Sequence, residues 1–185
     1  MRILITGGAG CLGSNLIETW LPRGHEIFVI DNFATGNPEV LPAQPGMTVV
    51  KGTVVDRALM DDVFEQFMPT HVVHAAAAYK DPDDWREDVR TNIEGTINVA
   101  QASRRFGVER IVYLQTALCY GRPHAVPIPV EHPVAPFTST QYALGTIRPA
   151  SISSCATRWA MRDEATGTPP HHAPPTGNPR HRVRP

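Results

Sequence analysis

The chain has 185 residues and a formal net charge of −1, which gives no electrostatic case for binding nucleic acid or an anionic membrane surface. Its three cysteines are odd in number and scattered, so neither a disulfide framework nor a zinc site is expected. No signal-peptide pattern opens the sequence and no apolar run is long enough to cross a bilayer, so we expect a soluble, cytoplasmic protein.

The first predicted elements are a buried strand, a glycine-rich turn and a helix. A short apolar run at residues 2–6 predicts the strand, and it is followed by glycines and then by apolar residues at helical spacing. Gly7 permits a tight turn, Gly10 lets the backbone approach a pyrophosphate, and Gly13 lets the helix pack closely on the strand. The helix begins near Cys11 and Leu12, whose free N–H groups attract phosphates. This succession predicts a dinucleotide-binding site.

The second predicted strand covers residues 26–31 and ends on a carboxylate. Asp31 can accept hydrogen bonds from an adenine-ribose 2′-hydroxyl and would repel a 2′-phosphate, which favours NAD over NADP as the cofactor. The alternative is an ordinary glycine turn with a solvated aspartate at a strand end. The spacing between the turn and the acid favours the cofactor interpretation.

Residues 47–114 alternate strands with helices, and a proline-rich loop is expected at residues 122–136. Strands are predicted at residues 47–51, 70–75 and 110–114, and helices at residues 57–67 and from residue 83 or 84 until Gly107. In the second of these helices, four apolar residues step at i+4: Trp85, Val89, Ile93 and Ile97. This alternation predicts an α/β fold, with a Rossmann-type doubly wound parallel sheet in the order 3-2-1-4-5. The ligand crevice is expected at the carboxyl ends of the strands, where strands 1 and 4 meet.

The composition changes after residue 146. Residues 147–185 contain six arginines, seven prolines and only two acids, whereas both lysines of the chain lie earlier. No apolar periodicity is sustained there, so we expect a disordered or non-native tail behind an NAD-binding domain at residues 1–146. A frame change near codons 138–146 would explain the shift, and a natural disordered tail is the alternative.

Five ordered motifs resemble the extended short-chain dehydrogenases/reductases, and within them the NAD-dependent nucleotide-sugar epimerases and dehydratases. They lie at residues 6–13, 31–32, 74–77, 92–96 and 115–121. The resemblance implies that a sugar carbon is oxidised with hydride transfer to NAD, that the substrate is a nucleotide-linked sugar, and that the chain is able to form a homodimer. Members of the family also carry a sixth strand and a substrate-holding lobe, which we expect to be absent here.

By this resemblance Thr116 and Tyr142 are the catalytic residues. The Thr116 hydroxyl would hydrogen-bond the substrate, and Tyr142 would be the general base. The family has a lysine four residues after the tyrosine, where this chain has Thr146. A free tyrosine has a pKa of ~10, whereas a general base works best when its pKa is near the ambient pH. A threonine carries no positive charge that would lower the pKa of the tyrosine. The alternative function is therefore a catalytically incompetent NAD-binding fragment or pseudoenzyme.

The resemblance also implies further cofactor-binding residues. They are Asn32, Thr53, Val54, Ala75, Ala76, Ala77 and Asn92. Thr53 stands where relatives often have an acid beside the adenine, and the alanines allow close approach to the cofactor. Asn92 is expected to support the strand that carries the active-site residues. His71 and His74 are i and i+3 on a strand, hence on opposite faces, so no metal site is predicted.

Overall fold

The computed structural model describes residues 1–79, 83–116, 120 and 124–132, so the predictions for Tyr142, Thr146 and the tail lie outside it. The strands are β1 (Arg2–Thr6), β2 (Glu26–Asp31), β3 (Met47–Lys51), β4 (His71–His74) and β5 (Arg110–Tyr113). The helices are α1 (Cys11–Trp20), α2 (Arg57–Phe67), α3 (Trp85–Val89) and α4 (Thr96–Arg105), with a π-helical segment at Arg90–Gly95 and short 3-10 turns at Leu21–Arg23 and Pro38–Val40. None of these described helices is long and apolar enough to span a membrane.

All described strand pairs are parallel, and the sheet order is β3-β2-β1-β4-β5. The predicted Rossmann-type doubly wound topology is therefore confirmed. In the register, Thr6 at the end of β1 pairs with Ile30 on one side and His74 on the other. Since β1, β2 and β4 end at nearly the same level, the loops that follow them meet at one edge of the sheet.

The sheet is covered on both faces by helices. Successive residues of β1 point to opposite sides, so that Leu4 packs with Phe64 of α2 and Val99 of α4, while Ile5 packs with Ile17 of α1. These side chains are at most 1% exposed. Burying a side chain of this size stabilises a fold by about 1.5–3 kcal/mol, so the two apolar layers hold the sheet rigidly beneath its carboxyl edge.

The long helix predicted after β4 is present but is interrupted by the π-helical segment. Its i+4 apolar series does not supply the buried face, since Trp85 is 60% exposed and Val89 is 51% exposed. Several of its buried positions are polar, among them Asn92, Thr96 and Asn98, while Val99 and Ala102 supply its apolar contacts with the core. A π-turn inserts an extra residue into the helical repeat and so changes which side chains face the sheet. The polar residues of this helix consequently point toward the loops at the carboxyl edge.

Candidate cofactor-binding cleft

A cleft at the carboxyl edge of the sheet brings together all the predicted cofactor-binding residues except Asn92. These are Gly7, Gly10, Cys11, Leu12, Gly13, Asp31, Asn32, Thr53, Val54, Ala75, Ala76 and Ala77. Sequence reasoning missed the other lining residues, which are Ile30, Thr35, Gly36, Gly52, Tyr79, Thr91 and Leu114. The loops after β1, β2, β3 and β4 therefore share one cavity, as expected for the crevice of a doubly wound sheet.

Two of the glycines are required by backbone contacts. Gly7 has a φ of 71°, and a Cβ atom built there would lie 2.8 Å from the backbone nitrogen of Ala76. A Cβ atom on Gly13 would lie 2.5 Å from the Cα atom of Gly8. The close approach that Gly13 allows is thus between α1 and the glycine turn itself. The prediction that it packs the helix on the strand is refined accordingly.

The N-terminus of α1 faces the cleft. Gly10 precedes the helix in an extended conformation, and no side chain of the described residues caps it. The first intrahelical bond is donated by the Ser14 N–H to the Gly10 carbonyl at 3.0 Å. The N–H groups of Cys11 and Leu12 precede that bond and have no acceptor within the helix. They combine with the positive end of the helix dipole to form an arrangement suited to a phosphate.

Asp31 is not a solvated strand-end residue, since it is only 7% exposed. Its Oδ2 accepts a hydrogen bond from the Ala9 N–H at 2.9 Å, and its Oδ1 accepts one from the Phe33 N–H at 2.8 Å. The carboxylate therefore ties the glycine turn to the loop after β2. Each carboxylate oxygen has a second lone pair, so Asp31 keeps the capacity to accept from a hydroxyl in the cleft.

The loop after β3 is held by the helix that follows β4. The Nδ2 of Asn98 donates to the carbonyl oxygens of Val54 and Val55, at 3.0 Å each. Gly95 lies so close to Val54 that a Cβ atom there would overlap its side chain. Asn98 and Gly95 thus set the position of Val54 in the cleft, a role that no local sequence signal indicated.

Asn92 lies beside the cleft wall and does not line the cleft. It is 2% exposed. Its Oδ1 accepts from the Ala78 N–H at 2.9 Å and its Nδ2 donates to the Ala78 carbonyl at 2.8 Å. Asn92 therefore holds the loop that carries the three lining alanines, whereas the role predicted for it was to support the strand that carries the active-site residues.

His74 is a buried histidine at the end of β4, with 2% of its surface exposed. Its Nδ1 lies 2.7 Å from Thr6 Oγ1 and its Nε2 lies 3.0 Å from Thr96 Oγ1. Burial removes water from the ring and lowers its pKa to about 4. From the sequence, His74 was placed in the motif at residues 74–77 and a metal-ligand role was rejected, but no partner was predicted for it. A polar residue within an otherwise buried strand needs partners, and that signal could have found this one.

Only one of the two predicted catalytic residues, Thr116, belongs to the described part of the chain. Thr116 follows β5 and its N–H bonds Gln115 Oε1 at 3.3 Å, whereas Tyr142 lies outside the described residues. Nearby, Leu114 lines the cleft. Among the described residues, no group of three histidine, cysteine or acidic side chains is arranged to hold a metal ion.

Comparison with known proteins agrees with this architecture. A family model described as the NAD dependent epimerase/dehydratase family matches residues 3–151. A UDP-glucose 4-epimerase of Corynebacterium glutamicum is 34% identical over 142 residues, which cover 74% of this chain and 41% of that protein.

Two solved structures from Bordetella bronchiseptica are also similar. The enzyme WbmG, in complex with NAD and UDP, superposes with a TM-score of 0.79 and 60% identity, over 84% of this chain and 50% of that one. The enzyme WbmH, in complex with NAD+, superposes with a TM-score of 0.76 and 41% identity, over 86% of this chain and 52% of that one. The chain thus spans about half the length of these relatives or less.

Proposed function

Because the chain belongs to the NAD dependent epimerase/dehydratase family, we propose that its cleft binds NAD and that its reaction acts on a nucleotide-linked sugar. One observation carries the cofactor proposal. The glycine turn, the uncapped N-terminus of α1 and the buried carboxylate of Asp31 line a single cleft. A phosphate-binding helix end beside an acid suited to ribose is the combination that a dinucleotide requires.

Each part of the cofactor has a corresponding part of the cleft in this proposal. The backbone N–H groups of Cys11 and Leu12 would hold the pyrophosphate. Asp31 and Asn32 would bind the adenine ribose, and the loop with Thr53 would flank the adenine. The small side chains of the β4 loop leave room for the cofactor to approach the sheet edge, and the nicotinamide would then point toward the end of β5.

The proposed chemistry is that of the family. Bound NAD supplies a hydride acceptor, so that a sugar carbon bearing a hydroxyl can become a ketone. The Thr116 hydroxyl would orient the reacting sugar hydroxyl, and the Tyr142 phenolate would take its proton. Return of the hydride to the opposite face of the ketone makes an epimer, whereas loss of water from it makes a dehydrated sugar. Product analysis by NMR distinguishes these two outcomes.

We expect the chain to bind NAD at least about tenfold more tightly than NADP, because the Asp31 carboxylate repels a 2′-phosphate. Asp31→Asn should reduce the ratio of the affinity for NAD to the affinity for NADP. It should also weaken NAD binding, since an amide has one acceptor oxygen for the two N–H donors of Ala9 and Phe33. Isothermal titration of both cofactors into the purified chain measures the two affinities.

The matched control is Asp61→Asn, which makes the same charge change on α2, outside the cleft. It should leave both affinities as they are in the unmodified chain. Equal or tighter binding of NADP by the unmodified chain would contradict the role of Asp31. Failure to bind either cofactor would overturn the proposed function.

A second candidate function, an NAD-binding chain with little turnover, is favoured by Thr146 at the family's lysine position. That cation would lower the pKa of Tyr142. Each pKa unit by which this lowering is lost reduces the fraction of Tyr142 present as phenolate about tenfold. We therefore expect turnover of UDP-glucose at least about 100-fold below that of the Corynebacterium glutamicum relative assayed beside it. Turnover similar to that of the relative would reject this second candidate.

A cytoplasmic location and a homodimer also belong to this proposal. The location is supported by the few, scattered cysteines, and the homodimer by the family resemblance alone.

A further inference from the structure

A chain of buried hydrogen bonds runs from the end of β1 to the π-helical segment. Thr6 Oγ1 and His74 Nδ1 are 2.7 Å apart, and His74 Nε2 and Thr96 Oγ1 are 3.0 Å apart. Thr96 Oγ1 then donates to the Asn92 carbonyl at 2.9 Å. The four residues are between 0% and 4% exposed, so this series of hydrogen bonds has no access to solvent.

One placement of the hydrogen atoms is consistent with this series of hydrogen bonds. The Thr96 hydroxyl donates its only hydrogen to the Asn92 carbonyl, so its oxygen must accept a hydrogen bond from His74 Nε2. His74 is therefore protonated on Nε2, and because burial keeps the ring neutral near pH 7, its Nδ1 is an acceptor. The Thr6 hydroxyl must then donate to Nδ1, which leaves its oxygen free to accept. A neutral imidazole thus orients the Thr6 hydroxyl.

The oriented hydroxyl of Thr6 is connected directly to the cleft wall. Its oxygen accepts the Ala76 N–H at 3.3 Å, while the Thr6 carbonyl accepts the Ala75 N–H at 3.0 Å. Ala76 is the residue whose backbone lies against Gly7. A shift of Ala76 would therefore change the contact between the β4 loop and the glycine turn, two segments that line the cleft side by side.

We propose that His74 is a positioning residue of the cofactor cleft, whose neutral imidazole orients the Thr6 hydroxyl and thereby holds Ala76 against the glycine turn. The competing interpretation is a histidine that only fills the core. The two differ in which substitutions matter, because a space-filling role needs the volume of the ring and a positioning role needs the acceptor at Nδ1. Testing this inference by NAD affinity rests on the proposed function, whereas testing it by amide hydrogen exchange does not.

Two pairs of variants separate these interpretations. His74→Asn puts an acceptor oxygen near the position of Nδ1 while losing most of the ring, whereas His74→Leu keeps bulk without an acceptor. Thr6→Ser keeps the hydroxyl that Thr6→Val replaces with a methyl group. Val63→Ala is the control for general destabilisation, since Val63 is a core residue of α2 outside the cleft.

The first measurement is amide hydrogen exchange of the full chain without cofactor, expressed as the rate at Ala76 divided by the rate at Val73 in β4. We expect His74→Leu and Thr6→Val to raise this ratio about tenfold. The acceptor-bearing variants His74→Asn and Thr6→Ser, and the control Val63→Ala, should not raise the ratio by more than about threefold. Global unfolding alone exposes both amides and does not raise this ratio.

The second measurement is NAD affinity, which should fall about tenfold in the same two variants and little in the other three. The inference is overturned if the exchange ratio in His74→Leu matches that in Val63→Ala, or if His74→Asn is as impaired as His74→Leu. An unmodified chain that fails to bind NAD overturns the proposed function instead, and the exchange ratio still decides the role of His74.

Discussion

Gly7→Ala is expected to abolish measurable NAD binding, with a loss of affinity of about 100-fold or more, and to lower the free energy of unfolding by about 2–4 kcal/mol. The new methyl group would lie 2.8 Å from the Ala76 nitrogen and 2.9 Å from the Ala75 carbonyl carbon. These are backbone atoms of β4's loop and cannot rotate away. The alanine would also have to adopt a φ of 71°. Titration with NAD and chemical denaturation measure the two losses.

Gly24→Ala provides a matched control for the backbone strain. Gly24 has a φ of 77°, similar to that of Gly7, but a Cβ atom there would meet nothing within 4 Å. We expect it to lose about 1 kcal/mol of stability and to bind NAD normally, since only the conformational strain applies. Comparable NAD affinities for the two variants would contradict the account of the Gly7 contact.

Lowering the pH from 7 to 4 is expected to remove about 3 kcal/mol of stability through His74 alone. Burial lowers its pKa from 6.5 to about 4 in the folded state. Between these values the unfolded chain binds a proton that the folded chain excludes, so acid favours unfolding. The loss begins as the pH falls below 6.5 and levels off near 4.

The measurement is denaturant unfolding at several pH values in the unmodified chain and in His74→Asn, which has no titrating ring at this position. The difference in unfolding free energy between the two should change by about 3 kcal/mol in favour of the variant as the pH falls. Curves that stay parallel from pH 7 to pH 4 would show that His74 does not exclude a proton in the folded state.

The positions of the strands and their order in the sheet can be predicted from the sequence alone. β1, β2, β3 and α2 begin and end at the predicted residues, because each is an apolar or amphipathic run bounded by glycine, proline or a capping acid. The glycine turn and Asp31 were also predictable, since their meaning depends on short spacings along the chain. Right-handed crossovers restrict the possible strand orders, and the glycine turn after β1 favours the dinucleotide-binding order among them.

Only the tertiary structure decided how the cleft is supported. Apolar spacing predicted the helix after β4, but contacts with the sheet and the π-turn determined that Asn92, Thr96 and Asn98 face inward. Their partners are distant in sequence, namely Ala78 for Asn92, His74 for Thr96, and Val54 and Val55 for Asn98. A buried polar group is satisfied by whatever the fold brings within hydrogen-bond distance, and residues 14 to 44 positions apart leave no periodic trace in the sequence.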